Sequence, residues 1–189
     1  MTAPPLTADA LSSAADGLLA ERASDGDSKA FEVLARRYAP AMRGYARRIT
    51  GSFADADDAV QESLLQAWTK LGDLSEPNAV RGWMMRITAN ASINLVRRRK
   101  STTSIDAVED PADPAPTPET AALTATGMTA LTAALARLPE EQRHCWVLKE
   151  MGNQSYEEIA RTLGITSDSV RGRLSRARAT LLKEMEAWQ

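Results

Sequence analysis

The chain has 189 residues, a formal net charge of −2, 43% apolar side chains and 25% charged ones. That is the composition of one large or two small globular domains. No apolar run approaches the roughly 18 residues that cross a bilayer, and the first residues carry no basic and apolar stretch of a secretory signal. A cytoplasmic protein without direct membrane insertion is therefore expected. The single cysteine, Cys145, and the single histidine, His144, exclude an internal disulfide and argue against a Cys/His zinc site. The sequence thus predicts no metal and no cofactor.

The near-neutral total hides a segregation of charge. Residues 1–29 hold 2 basic and 5 acidic side chains, and residues 30–100 hold 12 basic and 7 acidic. Residues 101–127 hold no basic and 5 acidic ones, and residues 128–189 hold 9 basic and 8 acidic. Two basic-leaning blocks flank an acidic strip, a pattern that suits nucleic acid at either end.

In chain order, residues 1–15 read as a disordered tail. Phe31, Leu34, Tyr38, Tyr45 and Ile49 then recur at helical spacing, with Arg36, Arg37, Arg43, Arg47 and Arg48 mostly elsewhere on the wheel. Gly51 stops that helix. Asp55, Asp57 and Asp58 suit the positive end of the next one, whose apolar stripe is Val60, Leu64, Trp68 and Leu71. A loop with Gly72 and Pro77 precedes a third helix, which places Trp83, Ile87, Ala91 and Leu95 inward and ends in Arg97, Arg98, Arg99 and Lys100. Residues 101–127 contain Pro111, Pro114, Pro116 and Pro118 and few large apolar groups, which predicts a flexible acidic linker. No stretch alternates β-branched and polar residues, so the fold class is all-α. Two small helical domains are expected, at 16–100 and 128–186.

The strongest local signal lies at 155–182. Ser155 and Glu158 form a capping box. Ile159, Ala160 and Leu163 line one helix, Gly164 supplies a turn, and Thr166 caps a second helix with Val170, Leu174, Ala177 and Leu181 inward. Ala160, Gly164 and Val170 have the spacing of a helix-turn-helix, which needs a small residue at the crossing, a glycine in the turn and an apolar lock. The outward face carries Ser167, Asp168, Arg171, Ser175, Arg176 and Arg178, side chains able to reach base edges near the helix start and phosphates beyond. A plain hairpin with a basic solvated face, or a stand-alone regulator binding two half-sites, would share this pattern. There is no phosphate loop and no base–nucleophile pair, so no catalytic residue is expected.

The rest of the chain narrows the choice. Asp55-Ala56-Asp57-Asp58-Ala59-Val60-Gln61-Glu62, continuing to Ala67-Trp68, resembles the core-binding helix of bacterial sigma factors. Arg81-Gly82-Trp83-Met84-Met85-Arg86-Ile87-Thr88-Ala89-Asn90, running on to the Arg97–Lys100 cluster, resembles their promoter-melting helix. Leu138-Pro139-Glu140-Glu141-Gln142-Arg143 and the helix-turn-helix are similar to their C-terminal domain. With only two domains, the chain resembles the extracytoplasmic-function (ECF) subfamily, a promoter-specificity subunit without catalytic activity of its own.

The resemblance implies that 16–100 is region 2 and 128–186 is region 4. It implies contact by Asp58, Gln61 and Glu62 with the coiled coil of the largest subunit of core RNA polymerase, and by region 4 with the flap of the second-largest. Promoter DNA would be melted at the minus-ten element by Asn78, Arg81, Arg86, Asn90, Arg97, Arg98, Arg99 and Lys100, and read at the minus-thirty-five element by the outer face of the helix-turn-helix. Asn78 suits a base-edge contact or, equally, a turn after Pro77. The linker would thread near the polymerase active centre, and an anti-sigma factor would cover these faces. Thr166-Ser167-Asp168-Ser169 stands where many relatives have a proline and a glycine.

Overall fold

The computed structural model describes residues 8–103 and 126–186, which form α-helices joined by short turns, with no strand among them. The helices are α1 (Ala8–Ser12), α2 (Asp16–Ser24), α3 (Ser28–Thr50), α4 (Phe53–Lys70), α5 (Val80–Thr103), α6 (Thr126–Arg137), α7 (Glu140–Trp146), α8 (Tyr156–Leu163) and α9 (Ser167–Glu186). Most of the predicted acidic linker lies outside the described residues.

Local chemistry sets the helix ends. The Asp27 carboxylate accepts from the Lys29 and Ala30 amides at 3.1 and 3.2 Å and opens α3. Its pKa is held below the usual value chiefly by the hydrogen bond from Arg22. The predicted stop at Gly51 is present, with the Gly51 amide bonded to the Arg47 carbonyl at 2.8 Å. Ser52 caps α4 by accepting from the Asp55 amide at 3.3 Å. Pro40 lies inside α3 without ending it, and the carbonyl it leaves unbonded belongs to exposed Arg36.

Helices α2 to α5 pack around Leu19, Leu34, Met42, Ala56, Ala59, Val60, Val80 and Met84. Asp16 at the start of α2 accepts from the Tyr38 hydroxyl and the Arg37 guanidinium, pinning α2 to α3. Burial and then the Asp16 carboxylate push the Tyr38 pKa up to about 12. A second core joins Leu135, Leu138, Cys145, Leu148, Ile159, Val170, Leu174, Ala177 and Leu181. Cys145 is a buried small hydrophobe whose pKa is raised by burial.

Three sequence expectations need correction. The tail expected to be disordered to residue 15 is helical over Ala8–Ser12, because Leu11, only 2% exposed, docks in the first core. Trp68, expected inward, is 39% exposed and packs at the rim against Phe31, with ring centroids 5.1 Å apart and planes tilted by 58°. The α5 stripe of Trp83, Ile87 and Leu95 is only half-buried, whereas Val80, Met84, Ala89, Ile93 and Val96 are buried. The reason is that α5 is covered on two sides. One side faces the first core. Ala89 and Ile93 face the second, together with Tyr45 and Ile49 of α3. The two modules therefore share an apolar seam.

Candidate nucleic-acid interface

The helix-turn-helix forms as its residues require. Ser155 Oγ accepts from the Glu158 amide at 3.1 Å, and the Glu158 carboxylate accepts from the Ser155 amide at 2.8 Å. That amide hydrogen bond holds the Glu158 pKa below 4.5. Gly164 closes α8 in the left-handed region at φ 66°, which a side chain would strain. The Ile165 amide returns to the Ala160 carbonyl at 3.0 Å, Thr166 Oγ1 accepts from the Ser169 amide at 3.2 Å, and buried Val170 locks α9 on α8. Asp168, Arg171, Ser175, Arg176 and Arg178 are exposed on the outer face, and Ser167 is half-buried at its start. Arg171 donates to Asp168 at 2.7 Å, and Arg178 to Glu150 at 2.8 Å.

The second basic set lies along α5, where Arg81, Arg86, Asn90, Arg97, Arg98, Arg99 and Lys100 are all exposed to some degree. Partners within the chain engage most of them. Arg98 meets Glu62 at 3.2 Å and Arg99 meets Asp55 at 2.9 Å, both on α4. Arg86 meets Glu158 at 3.1 Å, Arg97 donates to the Thr162 carbonyl at 3.0 Å, and Lys100 meets Glu140 at 2.9 Å. Asn90 Oδ1 accepts from Thr162 Oγ1 at 3.3 Å. The sequence showed the basic residues but not these partners, which are distant in the chain.

Asn78 sits in a single turn, Pro77–Ala79, ahead of α5. Its amide oxygen covers Gly17 of α2, where any side chain would collide with it. Next to it, α2 and the loop enclose a cleft of about 350 Å³ lined by Ala20, Glu21, Ser24, Asp25, Leu71, Leu74 and Pro77. No local pattern signals this cleft, because its walls are some fifty residues apart in the chain.

On α4, Asp58 and Gln61 are exposed, and Glu62 also accepts from Gln66 Nε2 at 3.0 Å. One helical turn along the same stripe, Leu65 is 70% exposed, followed by Trp68. An apolar patch thus continues the polar ridge. Its sequence signal was a leucine lying off the inward stripe. Among the described residues no cluster of His, Cys, Asp and Glu could hold a metal, and no helix is long and apolar enough to cross a membrane.

Family models agree with this arrangement of two modules. The Sigma-70 region 2 model matches residues 34–102, and the Sigma-70 region 4 model matches 128–181. The ECF RNA polymerase sigma factor SigM of Mycobacterium tuberculosis is 36% identical over 158 residues, 84% of this chain and 78% of that one. The chain belongs to the ECF sigma factors. The ECF RNA polymerase sigma-E factor of Escherichia coli is 30% identical over 176 residues, 88% of this chain and 92% of that one. Among solved structures, CnrH in complex with the cytosolic domain of CnrY is 29% identical, covers 92% of this chain and 99% of that one, and has a TM-score of 0.57. RpoE in complex with the anti-sigma factor NepR, from Bartonella quintana, is 25% identical, covers 84% and 98%, and has a TM-score of 0.65. In this sigma factor the region 2 match begins within α3, so α1 and α2, including one wall of the cleft, precede it.

Proposed function

We propose that this sigma factor directs core RNA polymerase to promoters by two DNA contacts made by separate modules. The observation that carries the reading is the helix-turn-helix itself: α9 presents Arg171, Ser175 and Arg176 outward from a locked crossing. At the minus-thirty-five element, Arg171 reads a base edge and Arg176 holds phosphate. Asp168, at the groove-facing start, accepts from a cytosine amino group.

At the minus-ten element, an unstacked base leaves the duplex and needs a pocket that returns the cost of a few kcal/mol. The cleft beside Asn78 suits this. The Glu21 and Asp25 carboxylates that line it, with Asn78 adjoining, favour base edges over phosphates. Arg81, Arg86, Asn90 and the Arg97–Lys100 cluster hold the separated strand.

The ridge Asp58–Gln61–Glu62, extended by Leu65 and Trp68, docks on the coiled coil of the largest polymerase subunit, and region 4 meets the flap of the second-largest. The sigma factor works in the cytoplasm and performs no chemistry itself; the polymerase forms the phosphodiester bond. One related structure holds the sigma factor RpoE with the anti-sigma factor NepR, and we extend that to an anti-sigma partner here.

Run-off transcription with purified core enzyme on a promoter library tests the reading. The expected result is initiation at a defined promoter class that requires this chain. Sequence-specific duplex binding unaffected by core, with no initiation, would instead favour a stand-alone regulator.

A further inference from the structure

We infer that the pocket between α5 and α8 binds a free mononucleotide, with its base on Gln154 and its phosphate on Arg161. The inference goes beyond the promoter reading and does not depend on it.

The pocket has a volume of about 270 Å³ and is enclosed by Arg86, Asn90, Gln154, Glu158, Arg161 and Thr162. That lies just under the range for drug-sized ligands, so its occupant is small. Irregular backbone puts Gln154 there. After α7 the chain makes a π-turn, Val147–Met151, and the Gly152 amide returns to the Val147 carbonyl at 3.1 Å. Asn153 then takes φ 49°, the one left-handed residue other than glycine among the described residues. Such departures from regular geometry concentrate at functional sites. Their effect here is to bury Gln154, 2% exposed, in the pocket wall.

The backbone of Gln154 is satisfied. Its amide donates to the Leu148 carbonyl at 3.2 Å, and its carbonyl accepts from Lys149 Nζ at 3.1 Å. Its side chain is not: neither the amide nitrogen nor the amide oxygen has a hydrogen-bond partner among the described residues. A buried amide without partners is costly, and an apolar side chain would fill the space without that cost. Folding alone therefore does not account for a glutamine at this place.

The other donors suit an anion. Arg161 is exposed and makes no ion pair or hydrogen bond among the described residues. Arg86 beside it meets Glu158 at 3.1 Å, and Asn90 spends its amide oxygen on Thr162 Oγ1 at 3.3 Å. Glu158 also accepts from the Ser155 amide, so its charge is answered within the chain. The ligand must then carry a paired donor and acceptor for Gln154 and a negative group for Arg161. A nucleobase edge supplies the pair, as adenine N6 and N7 do for a glutamine amide. A phosphate supplies the charge-assisted contact with arginine. A base alone would leave Arg161 unused and phosphate alone would leave Gln154 unused; a mononucleotide uses both.

Titration calorimetry of the full chain with adenosine monophosphate, adenosine and inorganic phosphate tests this. Adenosine monophosphate should bind at one site with a Kd below about 1 mM, and adenosine and phosphate each about tenfold or more weaker. Arg161→Ala, a change at an exposed position, should weaken the nucleotide by about tenfold and leave adenosine unchanged. Gln154→Leu should weaken nucleotide and nucleoside alike and leave phosphate unchanged. Should that variant not fold, the side-chain amide resonances of Gln154 in the wild-type chain give the same information: they should shift with the nucleotide and stay in place with phosphate. Three results overturn the inference. One is no saturation by the nucleotide at about 1 mM. Another is phosphate binding as tight as that of the nucleotide. The third is nucleotide binding that Arg161→Ala does not weaken or that leaves the Gln154 resonances unmoved. None of these measurements uses polymerase, so failure here leaves the sigma-factor reading standing.

Discussion

Arg171 and Arg176 occupy one exposed face, yet the proposed function gives them different work. Arg171 lies near the start of α9 and is oriented by Asp168 at 2.7 Å, so its guanidinium is prepared for a bidentate contact with a guanine edge. Arg171→Ala should cost about 1–3 kcal/mol on the cognate upstream duplex and relax specificity at one base pair. Arg176→Ala should weaken all duplexes alike and lower the salt slope by about one. Binding titrations on cognate and shuffled duplexes across salt separate the two, and identical profiles would refute the division of roles. Ser155 acts on the scaffold instead. Ser155→Ala removes the acceptor for the Glu158 amide and should cost about 0.5–2 kcal/mol, seen in thermal unfolding. Because the Glu158 pKa is depressed, its contribution is complete above about pH 4.5 and is lost as pH falls below that.

At the scale of single helices, α4 combines a charged ridge with exposed Leu65 and Trp68. Burying a leucine against a partner is worth about 1.5–3 kcal/mol. Leu65→Lys should therefore leave the melting temperature unchanged and weaken association with core polymerase by roughly tenfold or more, measured by competition against wild type; unchanged affinity would remove Leu65 from the interface. Legibility in the sequence follows the range of each signal. The capping box at Ser155, the stop at Gly51 and the Ala160–Gly164–Val170 spacing are local and could be read directly. The candidate site face of α9 was legible because all its residues share one helix. Helix α5 was only half legible, because a stripe reading allows each helix one buried face and α5 has two. Leu11 was misplaced because a single apolar residue carries no periodicity, and Trp68 because its stripe gives the face of α4 but not where along it the core ends; tertiary contacts decide both.

For the whole molecule, the two modules are closed on one another while the apolar seam holds and open where it parts, and His144 makes the strength of the seam depend on pH. The ring is 7% exposed and donates through Nε2 to the Ile49 carbonyl, leaving Nδ1 3.9 Å from Glu140. Burial lowers the His144 pKa below 6.5, against the opposing pull of the Ile49 carbonyl and Glu140, and Arg143 and Lys100 add to the lowering. Burial also acts to raise the Glu140 pKa, but the Lys100 ammonium, His144 and Arg143 outweigh it and hold the carboxylate below 4.5. Opening returns His144 to solvent, so below pH 6.5 the open state binds the extra proton. The closed state is at full strength above about pH 6.5 and weakens as pH falls, by up to about tenfold per unit of pKa depression. Below about pH 4.5 Glu140 acts in the same direction. Small-angle scattering of the polymerase-free chain should show a compact particle at pH 7.5 that expands toward pH 5.5. His144→Gln keeps a donor for the Ile49 carbonyl but cannot take up a proton, and should abolish that step. An expansion of equal size in His144→Gln would assign the pH response to other groups, and no expansion in wild type would show that the proton does not reach the seam.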